Sequence, residues 1–515
     1  MDAGAEQCRE PEAARMAAGE APVAASLDAP VAVIDIGSNS VRLVVYDALS
    51  RAPFPRFNEK SLCRLGADRT ADGGLAAGAI DHAIRSVRRF HAISQAMGAS
   101  RIDVLATEAV RGAPNRGMLL DGIETRTGLR TKLLAGDEEA RLAALGVIAG
   151  FHRPHGLVGD IGGGSLEIAE VLGENVGDRS TSLPLGALPV AALMAEGRGS
   201  AKRAVDDMLA GALPPLLTEP VFHLVGGGWR ALARIELARR RALCRVAHGF
   251  EMSLKEARSL AKEIAASSAE EVAALPGAPS RRAPTLPAAA LVLDRVLKAM
   301  KPERVVFSAL GLREGWLYSL LPAEERQRDP LIEGARVFGE RRARVPAFPA
   351  ALMRWTNDLF PAETAEDRRL REAACALSDM AWRDQSNNRA GVAFSRVLEL
   401  PFVGVTHAER IYLATALMAR HGGRPSEREA KQIALHLPEA ASRRAQVLGR
   451  ALQLGYRFSG SVPGILDRAR LEIGSDCVTV RVDGADAVPD GDAVQTRLSA
   501  LAKTLGLKEA HLLVD

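Results

Sequence analysis

At 515 residues the chain exceeds what one hydrophobic core organises, so about three or four structural units are expected. With 47% hydrophobic and 25% charged residues it has the balance of a globular protein, not of a disordered or fibrous one. A net charge of +4 excludes a strong global field for polyanions, and no apolar run approaches the roughly 20 residues that cross a bilayer, so neither nucleic acid nor a membrane is expected as a partner.

Residues 1–29 are rich in Ala and interrupted by Glu6, Arg9, Glu10, Glu12, Arg15 and Glu20. They lack the apolar centre of a signal peptide, and a loose tail on a cytoplasmic protein is expected. Cys8, Cys63, Cys244, Cys375 and Cys477 lie far apart with no metal-like spacing, which points to reduced thiols.

The stretch VAVIDIGSNSVRLVVYD at 31–47 is two apolar runs joined by Asp-Ile-Gly-Ser-Asn-Ser, the pattern of a hairpin. Its tip also carries Asp35, Ser38 and Ser40, either as ordinary turn chemistry or as an anion cradle built from free backbone N–H groups. RIDVLATEAVR (101–111) predicts a strand and a loop, and RTKLLAG (130–136) a further strand. DEEARLAALGVIAG (137–150) predicts a helix with Asp137 as N-cap and Glu138 and Glu139 in its first turn. GLVGDIGGGSLEIAEVL (156–172) then repeats the opening plan, placing Asp160 on Asp35, Gly162 on Gly37 and Ser165 on Ser40, 125 residues along. Repetition at that scale predicts two similar lobes.

FHLVGGG (222–228) reads as a strand entering a glycine turn, followed by the helical WRALARIELARRR. Trp229 and Arg230 would either pack that helix or stack on a base. Ser253-x-x-Glu256, Thr406-x-x-Glu409 and Ser426-x-x-Glu429 are capping boxes. Residues 350–440 are helical in pattern, and CVTVRVDG and AHLLVD are strands of a small closing module. The expected division is a tail at 1–29, lobes at 30–150 and 151–324, a helical domain at 325–440 and an α+β module at 441–515.

DIGSNS at 35–40, Glu-Glu-Ala-Arg at 138–141, DIGGGSxE at 160–167 and GLREG at 311–315 occur in that order. Together they resemble the exopolyphosphatase / guanosine pentaphosphate phosphohydrolase (Ppx/GppA) family of the actin, chaperone ATPase and sugar kinase superfamily. The resemblance implies an α/β fold of two actin-like (ribonuclease H-like) lobes with phosphate loops facing across a cleft. It assigns Asp35, Ser38 and Asn39 to one loop and Gly162, Gly163, Gly164 and Ser165 to the other. It further implies Mg²⁺ held by Asp160 and Glu167, Glu139 as general base, and Arg111 on the transferred phosphoryl group. Arg313 and Glu314 are placed near the cleft without a chemical role.

By the same resemblance the helical domain is HD-like. Ser378 stands where an HD site needs a ligand His before Asp379, so a structural or interfacial role is expected. Arg443, Arg450 and Arg457 share one helical stripe, either a solvated face or the lining of a polyphosphate channel. The implied activity is removal of terminal phosphate from inorganic polyphosphate, by a homodimer. The alternatives are hydrolysis of guanosine pentaphosphate to the tetraphosphate, or a non-catalytic sensor of guanosine polyphosphates. An ATP-dependent kinase is disfavoured by the early Glu-Glu-Ala-Arg and the late Arg-Glu-Gly.

Overall fold

The computed structural model describes residues 29–67, 69–212, 219–484 and 491–514, so nearly all of the expected tail lies outside the described residues. The first lobe is a five-stranded sheet of β1 (Val31–Ile36), β2 (Val41–Tyr46), β3 (Pro55–Ser61), β4 (Arg101–Ala106) and β5 (Thr131–Leu133), in the order β3-β2-β1-β4-β5. β1 is antiparallel to β2 and parallel to β4, so the first three strands form a meander and the others return through helices. The buried run Val31–Ile34 explains why β1 is central: a strand covered on both faces is apolar throughout.

The second lobe has β6 (His155–Ile161), β7 (Leu166–Leu172), β8 (Asn175–Leu183), β9 (Val221–Val225), β10 (Glu251–Ser253) and β11 (Arg304–Phe307), in the order β10-β11-β9-β6-β7-β8. Taken from the other edge, β8-β7-β6-β9-β11 repeats the first sheet with the same directions, and β10 adds an antiparallel edge. The two similar lobes expected from the sequence echo are therefore present.

The helix Gly136–Gly150 lies between the two sheets and crosses the helix Leu312–Leu320 in one shared core. The crossing is close enough that a Cβ at Gly315 would overlap the Leu142 carbonyl, and one at Gly146 would overlap that of Gly311. This is what the glycine of GLREG does: it lets the second helix sit deep enough to present Arg313 and Glu314 to the cleft. Glu138 and Glu139 fall in the first turn of Gly136–Gly150 as expected, but Asp137 is not its N-cap. The N-cap position is Ala135, two residues earlier, and the Asp137 carboxylate instead accepts the Glu138 N–H at 2.9 Å. The three capping boxes form as expected.

Beyond residue 324 the chain is helical up to a small sheet of β12 (Ala469–Ile473), β13 (Cys477–Val482) and β14 (Glu509–Val514). The expected boundary near 440 falls at the start of the helix Glu439–Ser459, and one hydrophobic core continues across it. Ser378 donates to the Cys375 carbonyl at 2.6 Å and meets the Tyr456 hydroxyl at 2.8 Å, while Arg344 forks both Asp379 oxygens at 2.9 Å. Arg443 and Arg457 are exposed; Arg450 is half-buried and donates to Gln453 at 3.1 Å. No helix among the described residues is long and apolar enough to cross a membrane.

Candidate active site

Both lobes build the same turn at the same place. In the β1–β2 connection the Gly37 N–H donates to Ser40 O at 3.0 Å, and in the β6–β7 connection the Gly162 N–H donates to Ser165 O at 2.9 Å. The carbonyls of each loop are then tied back by a neighbouring segment. Gly66 and Arg64 donate to the carbonyls of Ser38 (2.6 Å) and Asn39 (3.1 Å); Gly186, Ala187 and Leu188 donate to those of Gly164 (3.1 Å), Gly162 (3.2 Å) and Gly163 (2.8 Å). None of the described hydrogen bonds uses the N–H groups of Ser38, Asn39, Gly163 or Gly164. With the acceptors occupied and the donors free, each loop has the donor arrangement of an anion nest. The loops also touch, since a Cβ at Gly163 would lie 2.8 Å from Ser38 Cβ. Glycine there is what allows the two cradles to converge.

The loops line one cavity of about 500 Å³ together with Asp35, Glu139, Asp160 and Glu167. Asp160 and Glu167 are direct cross-strand partners on β6 and β7, which places their side chains on one face as neighbours. Burial lifts Asp160 to about 6, and burial followed by the charge of Glu139 lifts Glu167 to about 8. Ser182 donates to Glu167 at 3.1 Å, which does not offset that cost. Two adjacent carboxylates that resist ionising alone are a fitting donor pair for a hard cation. No group of three or more His, Cys, Asp or Glu among the described residues is placed to hold a metal together, so water and phosphate oxygens would complete the shell.

Glu139, 5% exposed, is raised to about 7, chiefly by burial, although Arg111 pairs with its carboxylate. Arg111 also donates to the Leu134 carbonyl and is not among the described lining residues. Its guanidinium pairs with Glu139, which itself lines the cavity. Asp35 accepts from Arg313 at 3.2 Å, and burial raises its pKa even so. Glu314 accepts from the Tyr46 hydroxyl at 2.6 Å and from the Gly311 N–H at 3.0 Å, and lies 3.8 Å from Arg313. The Arg-Glu-Gly motif is thus a clasp joining β1, β2 and the helix Leu312–Leu320, and it accounts for a negative charge beside the first cradle.

Sequence reasoning missed most of the cationic wall. Arg42, Lys60, Arg230, Arg281, Arg282 and Arg313 all line the cavity. Lys60 is lowered to about 8 by burial and then by Arg282, Arg42 and Arg281, a field short of anions. Lys60 stands on an edge strand and Arg281 and Arg282 in a short 3₁₀ turn, where no local motif marks them. Trp229 is fully buried with its indole N–H on the Ala289 carbonyl at 2.9 Å, so it packs a helix and cannot stack on a base. Arg230 donates to the Ala309 carbonyl at 2.8 Å.

These features meet an independent finding: the family model described as "Ppx/GppA phosphatase family" matches residues 44–324. The chain belongs to the Ppx/GppA phosphatase family. A second model, "Exopolyphosphatase, C-terminal", matches residues 331–512 of this Ppx/GppA phosphatase, as one unit across the helices and the small sheet. Over 324 residues it is 30% identical to "Exopolyphosphatase 1" of Mycobacterium tuberculosis, covering 60% of this chain and 93% of that one. The crystal structure of an exopolyphosphatase from Cytophaga hutchinsonii superposes with a TM-score of 0.51 at 25% identity, covering 56% of this chain and 97% of that one. The Aquifex aeolicus family member shares the fold, with a TM-score of 0.50 at 24% identity, covering 56% of this chain and 96% of that one. Phosphatases of this family are generally metal-dependent.

Proposed function

We propose that this Ppx/GppA phosphatase is an exopolyphosphatase that hydrolyses the terminal phosphoanhydride bond of inorganic polyphosphate. The observation that carries the reading is the convergence of two anion cradles, one from each lobe, on a cavity walled by Glu139. The N–H groups of Ser38, Asn39, Gly163 and Gly164, with the hydroxyls of Ser38 and Ser165, bind the oxygens of the terminal phosphoryl group. Glu139 takes the proton from the attacking water, and Arg111 holds the Glu139 carboxylate in place. Asp160 and Glu167 would hold Mg²⁺, which supplies neutralisation of phosphate charge beside two carboxylates. Arg42, Lys60, Arg230, Arg281 and Arg282 receive the phosphates that trail behind, which suits a long polyanion.

The test is phosphate release from long-chain polyphosphate and from guanosine pentaphosphate, measured side by side with and without Mg²⁺. Mg²⁺-dependent release with higher kcat/KM on polyphosphate is expected. Higher kcat/KM on guanosine pentaphosphate would move the assignment to that substrate, and release from neither would overturn an enzymatic role.

A further inference from the structure

We infer that Glu108 is an affinity-setting residue of the phosphate site: its carboxylate sits against the second cradle without occupying its N–H groups, and it repels the phosphate that enters. Glu108 opens the short helix Glu108–Arg111 of the first lobe and lines the cavity. It reaches across to the other lobe, where its carboxylate lies against Gly164 so closely that a Cβ there would overlap Oε2. The Ser38 hydroxyl oxygen lies 3.5 Å from the same position, so an anionic group occupies the point where the two loops meet.

The other carboxylates of the cavity have an explanation. Glu139 is paired with Arg111 and Asp35 with Arg313, and Asp160 faces Glu167 across a strand pair. Glu108 has no side-chain hydrogen-bond or ion-pair partner among those described. Nor does it form, with Asp160 and Glu167, a group able to hold a metal. What it does have is a place against Gly164, a residue whose N–H is among the free donors, without a hydrogen bond to it. A carboxylate held at that point and a phosphate entering the cradle repel each other in a half-buried cavity. Glu108 therefore weakens ground-state binding of the terminal phosphate and hastens departure of the phosphate released. The loop glycine and Glu108 are matched: a side chain at 164 would push the carboxylate out.

This inference rests on the reading of the loops as phosphate cradles, and binding measurements separate it from turnover. Calorimetric titration of the full-length chain with inorganic phosphate and with tripolyphosphate, in Mg²⁺, compares wild type with Glu108→Gln and Glu108→Ala. Both variants are expected to bind both ligands roughly tenfold more tightly, with KM for polyphosphate falling alongside. Unchanged affinity in variants with wild-type thermal stability would overturn the inference, and so would weakened affinity, which would make Glu108 a supporting group. If wild type releases no phosphate from polyphosphate while the variants still bind tripolyphosphate more tightly, the exopolyphosphatase reading fails and this one stands.

Discussion

Replacing Glu139 with Gln isolates the proposed base with little disturbance of shape. The amide oxygen can still accept from Arg111, so the start of the helix Gly136–Gly150 keeps its anchor and Tm should move by no more than about 2 °C. The substitution removes one negative charge from a cavity already lined by Asp35, Asp160 and Glu167, so substrate binding is preserved or slightly tightened. What is lost is proton acceptance. Removal of a positioned general base lowers kcat by about 10²–10⁴-fold, or about 3–5 kcal/mol in the barrier. The pH profile carries the signature. Glu139 titrates near 7, so the working, deprotonated form is lost as pH falls through that value. At saturating Mg²⁺, wild-type kcat on polyphosphate should fall tenfold per unit below about pH 6, while the residual rate of Glu139→Gln stays flat there. A variant that keeps a third of wild-type kcat, or keeps the acidic limb, would refute the role of Glu139.

Chelation of divalent cations should abolish phosphate release, and Asp160→Asn should raise the Mg²⁺ needed for half-maximal rate by at least about tenfold, read from a Mg²⁺ titration. Glu167 is raised from 4.5 to about 8, so its contribution to stability is complete below pH 4.5 and is lost as pH rises through 8. Without divalent cations, wild-type Tm should decline from pH 5 to 8; Glu167→Gln should flatten that decline and gain about 2 °C or more at pH 8. Parallel Tm curves would contradict the buried-carboxylate explanation. Gly163→Ala should raise KM about tenfold or more at nearly constant Tm, because a Cβ 2.8 Å from Ser38 Cβ forces the two cradles apart.

The two hairpins were legible because each repeats a local rule, apolar alternation interrupted by small polar residues, and their repetition revealed the paired sheets. The capping boxes were legible for the same reason: donor and acceptor lie three residues apart. The Arg111–Glu139 pair was not, because its members lie 28 residues apart in the chain. The clasp among Asp35, Arg313, Glu314 and Tyr46 spans up to 278 residues, and only the crossing at Gly146 and Gly315 brings it together. Glu108 sits inside a motif that was recognised for its Arg. Its meaning comes from Gly164 on the other lobe, which no spacing within the first lobe records. Trp229 is a different case: its place beside a glycine turn left packing and base stacking both open, and it is wholly consumed by packing.

The central claim is that hydrolysis begins at a free chain end held between the two cradles. It is tested most directly by following phosphate release in Mg²⁺ from long polyphosphate with free ends and from the same polymer with both ends chemically blocked. The account predicts steady release of single phosphates from the free-ended chain and none from the blocked one. Cleavage of the blocked polymer into fragments of intermediate length would contradict it.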